Sequence, residues 1–191
     1  MSDIGFVKRG LYPGYSEHKV EAILSTITDK EIESLFNKYE VYELELLSEI
    51  FEELQDYSMR DRIIIEKVVE TENGNKKQKV NIINYIIKER IKEAEENYCA
   101  PIAPTNFDYS DLQDKNRLLS NEELEFLDMA LYTLVKYMQD SKEIEEEAFA
   151  HGYQITQIVN TDVLNSLEVY KESLENEIGK RIKKLSLTLG V

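Results

Sequence analysis

TDKEIESLFNKYEVYELELLSEIFEEL, residues 28–54, is the stretch that decides the fold class. Its apolar residues Ile32, Leu35, Phe36, Tyr39, Leu46, Leu47, Ile50, Phe51 and Leu54 recur mostly every three or four positions. That is the repeat at which side chains line one side of an α-helix. Thr28 followed by Glu31 forms a capping box, in which hydroxyl and carboxylate each accept from an amide N–H that the first helical turn leaves unpaired. One amphipathic helix over 28–54 is therefore predicted.

Outward from this helix the pattern stays mostly helical. Ser16 is a candidate N-cap for a short helix ending at Ile27, with Val20, Ile23, Leu24 and Ile27 at helical spacing. Before it, Gly5, Gly10, Pro13 and Gly14 rule out a long helix, and Ile4 and Phe6 alternate about Gly5, so residues 1–15 read as an extended arm. On the other side, 62–80 fits two readings. Ile64, Ile65, Val68 and Val69 suit a helix, but the β-branched content and Asn73-Gly74 suit a hairpin turn, and the hairpin is preferred. Residues 81–97 return to helix.

Residues 98–117 are the main interruption, because Pro101 and Pro104 stop helix and Asn, Asp and Ser favour turns. Phe107, Tyr109 and Leu112 could pin this loop to a surface. Ser120 and Glu123 form a second capping box, opening a helix that carries Leu124, Leu127, Leu131, Leu134, Val135 and Met138 towards His151, with Gly152 as its stop. Thr161 or Asp162 opens the last helix, with Val163, Leu167, Tyr170, Leu174, Ile178, Ile182 and Leu185 along one seam. At the end Leu185, Leu187, Leu189 and Val191 alternate with Ser186, Thr188 and Gly190, a strand pattern. The expected fold is mainly α: a helical bundle over 16–185, including loop 98–117, with extended arms at 1–15 and 186–191 and the small hairpin at 62–80.

Charge and composition narrow the function. The 191 residues carry a net charge of −15, so phosphate-rich partners are disfavoured: direct, sequence-specific nucleic-acid binding is not expected, and neither is attraction to an anionic membrane. No stretch approaches the ~20 apolar residues of a membrane span. Lys8 and Arg9 interrupt the apolar residues near the start, so no signal peptide is read there, and Cys99 is the single cysteine. The expected setting is a reducing cytosol.

Motifs for chemistry are sparse. Glu45, Glu49, Glu52 and Asp56 share a helix face, which could hold a divalent cation but ordinarily faces water. Glu147 and His151 are four apart, yet no second such pair completes a metal site. No phosphate loop, nucleophile elbow or Cys-x-x-Cys is present. No cofactor, no metal and no enzymatic activity are expected. Tyrosine is abundant at 12 residues, which suits interfaces as well as core rims. The basic run Lys180, Arg181, Lys183 and Lys184 and the acidic stretches 29–57 and 122–147 could meet between subunits.

The helical body, the tyrosine-bearing loops and the terminal arms together are similar to the helical head–tail connector (adaptor or ring) proteins of tailed bacteriophages. That resemblance implies a non-enzymatic structural component of the virion neck, a homo-oligomeric ring contacting neighbouring assembly proteins, located in the virion or the host cytoplasm. The residues expected to make the contacts are Ile4, Phe6, Tyr12, Tyr15, Phe107, Tyr109, Leu187, Leu189 and Val191. An acidic inhibitor or nucleic-acid mimic that binds a basic protein is the second reading. The third rests on Glu49-x-x-Glu52 with Glu53, and on Glu125-x-x-Asp128, which partly resemble the magnesium-binding pattern of MazG-type nucleotide pyrophosphohydrolases, although Ser48 stands where that family has a leading Glu.

Overall fold

The computed structural model describes residues 15–53, 64–71, 74–97, 101–154 and 159–189. Among the described residues the architecture is mainly helical, as the periodicity demands, with one two-stranded sheet. The order is α1 (Glu17–Thr26), α2 (Asp29–Phe36), α3 (Val41–Glu53), β1 (Ile64–Thr71), β2 (Gly74–Asn81), α4 (Ile82–Glu96), a 3-10 segment (Tyr109–Leu118), α5 (Asn121–Ala150) and α6 (Thr161–Leu189). None of these helices is long and apolar enough to cross a membrane.

The chain divides into two compact units, Val20–Ala103 and Pro104–Val191 together with the segment that ends at Lys19. This differs from the single helical domain expected over 16–185. The second unit joins residues 15–19 to residues beyond Ala103, and no local sequence pattern announces such a join.

In the unit Val20–Ala103 the Thr28 box forms as expected: Thr28 N–H donates to Glu31 Oε2 at 2.7 Å and Glu31 N–H to Thr28 Oγ1 at 3.3 Å. The single helix expected over 28–54 does not form. It stops at Phe36 and restarts at Val41, where Glu43 reaches back to accept from Glu40 N–H at 2.7 Å. The break re-phases the apolar stripe. Leu44 is buried in place of Leu46, which is half-buried. Phe36 and Phe51 meet edge to face with centroids 5.9 Å apart, and α2 and α3 close over Ile83, Ile86 and Ile87 of α4. The hairpin is antiparallel, pairing Ile64 with Asn81 and Thr71 with Gly74. Gly74 has φ +101°, where a side chain would be strained.

In the other unit the Ser120 box forms, with Ser120 N–H donating to Glu123 Oε2 at 2.7 Å, and α5 then runs for 30 residues without a break. Gly152, at φ +81°, ends it. α6 returns antiparallel: Arg181 lies against the start of α5, and Gln139 donates to Glu168 at 2.6 Å further along. The loop expected at 98–117 is not structureless. Asp108 accepts from Ser110 N–H at 2.8 Å and opens the 3-10 segment, and the Ser110 hydroxyl holds the Asp108 carboxyl below its ordinary range. The segment is fastened to α6 at intervals. Ser166 Oγ accepts from Ser110 N–H at 3.1 Å, and Asn116 Nδ2 donates to Ser173 Oγ at 2.7 Å. Arg181 donates to Leu119 O at 2.8 Å, to Asn121 Oδ1 at 2.9 Å and to Glu177 Oε1 at 2.9 Å.

The C-terminal strand expected over 186–191 is corrected for 186–189, which continue α6 to Leu189. A lone strand would leave its backbone donors without partners, whereas extending an existing helix supplies an i−4 carbonyl to each. Thr188 also returns its hydroxyl to Lys184 O at 2.9 Å.

Candidate functional site

Two kinds of site emerge, one internal and one at the ends of the α5/α6 pair. The internal one begins with Asp128, on the N-terminal half of α5. Here the helix is buried on every face from Glu123 to Leu131. Four residues on, Tyr132 lies on the same face of the helix. Tyr15, just ahead of α1, sets its ring 5.4 Å from the Tyr132 ring at 59° and donates its hydroxyl proton to Asp128 Oδ2. From α6, Lys171 holds its ammonium 5.4 Å above the Tyr132 ring and pairs with Glu175 one turn away. Glu125 lies one turn before Asp128 and is also buried.

The electrostatics follow from this crowding. Asp128 is 2% exposed, and burial pushes its carboxyl up to about 7, helped by the negative charges of Glu175 and Glu125 and opposed by the Tyr15 hydrogen bond and by Lys171. Burial, with Asp128 alongside, raises the Tyr15 phenol far above its ordinary value, so it stays a protonated donor. Asp128 Oδ1 has no hydrogen-bond partner among the described residues.

A carboxyl that titrates near neutrality is the kind of group that can act as a general base. Geometry argues for another role. A groove of about 510 Å³ runs between α5 and α6, lined by Tyr132, Lys136, Gln139, Asp140, Glu168, Lys171 and Glu175, and Asp128 is not part of its wall. Asp128 instead fastens the segment that precedes α1 to α5. Sequence reasoning missed this role, because acid-rich helices normally turn their carboxylates to water. The only local hint was that Asp128 follows Leu124 and Leu127 on the apolar side of the helix.

The residues expected to make contacts scatter. Tyr15 is engaged inside its own unit instead of standing on a free arm. Tyr109 is 5% exposed and belongs to the core, and Phe107 is half-buried. Ile4, Phe6, Tyr12 and Val191 lie outside the described residues, as do Cys99, Leu54 and Asp56. Leu187 and Leu189 are exposed, at 76% and 64%, on the last turns of α6. At the opposite end of the hairpin, Ile144, Phe149 and Tyr153 are exposed too, Phe149 at 78%. These residues were not singled out from the sequence, where Phe149 and Tyr153 simply flank a helix stop. Of the proposed acidic pairs, Glu49 and Glu52 are exposed on α3, while Glu125 and Asp128 are buried in the other unit. Among the described residues no three His, Cys, Asp or Glu side chains gather as a metal site would require.

Comparison with protein-family models, with curated proteins and with solved structures finds no match to this chain.

Proposed function

We propose that this protein is a non-enzymatic assembly component that associates with copies of itself. The observation that carries the reading is the pair of exposed apolar ends on one long helical hairpin: Ile144, Phe149 and Tyr153 at the turn, Leu187 and Leu189 at the other extremity. Large apolar side chains exposed near one another are the kind of surface that contact with another protein buries. Tyr15 supports the same reading, since it is bound to Asp128 on the N-terminal half of α5, away from the exposed residues at the turn. The resemblance to helical head–tail connector proteins gives the specific form proposed, a homo-oligomeric ring in a virion neck that docks on neighbouring assembly proteins. The engagement of Asp128 by Tyr15 argues against that carboxylate serving a magnesium ion.

Light scattering on the intact chain tests the proposal. A mass several times 22.3 kDa at micromolar concentration is expected, and a single-chain mass up to the highest soluble concentration would refute it.

A further inference from the structure

The two open ends of the α5/α6 hairpin differ in charge as well as in position. At the turn end, Glu143, Glu146 and Glu147 are exposed beside Ile144 and Phe149 on the last turns of α5, and Tyr153 follows the helix stop. Lys142, half-buried, also lies at this end, and His151 caps the helix. At the other end, Lys180, Lys183 and Lys184 are exposed on α6. Leu187 lies three, four and seven residues beyond them, so a single helix face carries all four. No ion pair among the described residues occupies the side chains of Glu143, Glu146, Glu147, Lys180, Lys183 or Lys184.

The last turns of α6 are held by few contacts among the described residues. Its buried residues end at Ile178, and Arg181 makes the last hydrogen bond from it to α5 among the described residues. Residues 183–189 continue as helix with only Leu185 half-covered. A helical end of two turns in water is marginal on its own and draws its stability from a surface that packs on it. Because α5 and α6 are antiparallel, the turn and this projecting end stand at opposite extremities of a hairpin about 45 Å long. One copy cannot bring them together.

We infer that the basic, leucine-bearing end of α6 from one copy docks on the acidic, aromatic turn end of α5 in a second copy. The inference rests on the self-association proposed above and names the surfaces that carry it. The contact is heterologous, since each copy presents two different surfaces. Repetition therefore closes a ring or extends a filament, according to the rotation between neighbours. Apolar contact between Leu187 and Phe149 with Tyr153 supplies attraction, and the Lys and Glu flanks fix orientation and exclude an end meeting its own kind.

Charge reversal tests this on the full-length chain. E146K/E147K makes both ends basic, and K183E/K184E makes both acidic. All four positions are exposed on helices, so circular dichroism should be unchanged in both variants. By light scattering each variant alone should fall towards the single-chain mass, with association at least about tenfold weaker. Mixed in equal amounts they should reassemble, because alternating copies restore both complementary contacts. Phe149→Ser should weaken assembly without altering charge. If the wild-type chain is an oligomer and neither reversal disturbs it, this contact is wrong while self-association stands. If the reversals dissociate it and the mixture stays dissociated, the head-to-tail pairing is overturned. A monomeric wild type overturns both this inference and the function on which it rests.

Discussion

Asp128 is a carboxyl group whose cost depends on its protonation. Its folded value, about 7, lies above the ordinary 3.8, so the folded protein binds its proton more tightly than the unfolded chain does. Stability from this group is complete below about pH 4 and is lost as pH rises through about 7, by up to roughly 4 kcal/mol. Asp128→Asn keeps an oxygen that can accept from Tyr15 and removes the charge. Urea denaturation of this variant should show a gain over wild type at pH 8 that falls by more than half at pH 5 and to little near pH 3.5, and a gain equal at all three pH values would refute the account. Tyr15→Phe removes the donor and leaves the carboxylate unsatisfied, a loss of about 1–3 kcal/mol at pH 8. The same variant should show faster protease cleavage ahead of α1. The donor and its acceptor are 113 residues apart, which is why no reading of local spacing could join them.

Elements were legible where local chemistry alone specifies them. The Thr28–Glu31 and Ser120–Glu123 boxes, the hairpin and the stop at Gly152 each rest on residues within a few positions of one another, and each is found. What escaped reading depends on tertiary contacts. The apolar spacing runs on through residues 37–40, so nothing in it marks the interruption between α2 and α3. The alternating leucines at the C-terminus look like a strand because every second residue is apolar, yet residues 186–189 complete their backbone bonding by continuing α6. The 3-10 segment escaped notice because its supports, Ser166, Ser173 and Arg181, come from α6. Arg181 is the strongest of these ties, with its guanidinium donating to Glu177, Leu119, Asn121 and Asn116. Arg181→Ala should cost about 2–3 kcal/mol in denaturant titration, and Arg181→Lys should recover little of it, because an ammonium cannot reproduce the planar fork. Full recovery by lysine would show that charge alone is what matters there.

For the whole molecule, a net charge of −15 sets copies against one another, in opposition to the proposed contact between the ends of α5 and α6. The two effects have different ranges. Repulsion between whole copies is felt over a Debye length of roughly 30 Å at 0.01 M salt and is largely gone at about 0.1 M, whereas contact pairs weaken only at higher ionic strength. Sedimentation should therefore find assembly strongest near 0.1 M salt and weaker at both about 0.01 M and about 1 M. A steady rise with salt would mean that apolar contact acts without charge pairing. The unit that joins residues 15–19 to residues beyond Ala103 also sets a schedule for biosynthesis. Tyr15 leaves the ribosome 113 residues ahead of Asp128, a wait of roughly 6–23 s at typical elongation rates. During that wait all of Val20–Ala103 has been synthesised, while the phenol's acceptor has not. A nascent chain interrupted before α5 lacks Asp128 and can never close this clasp.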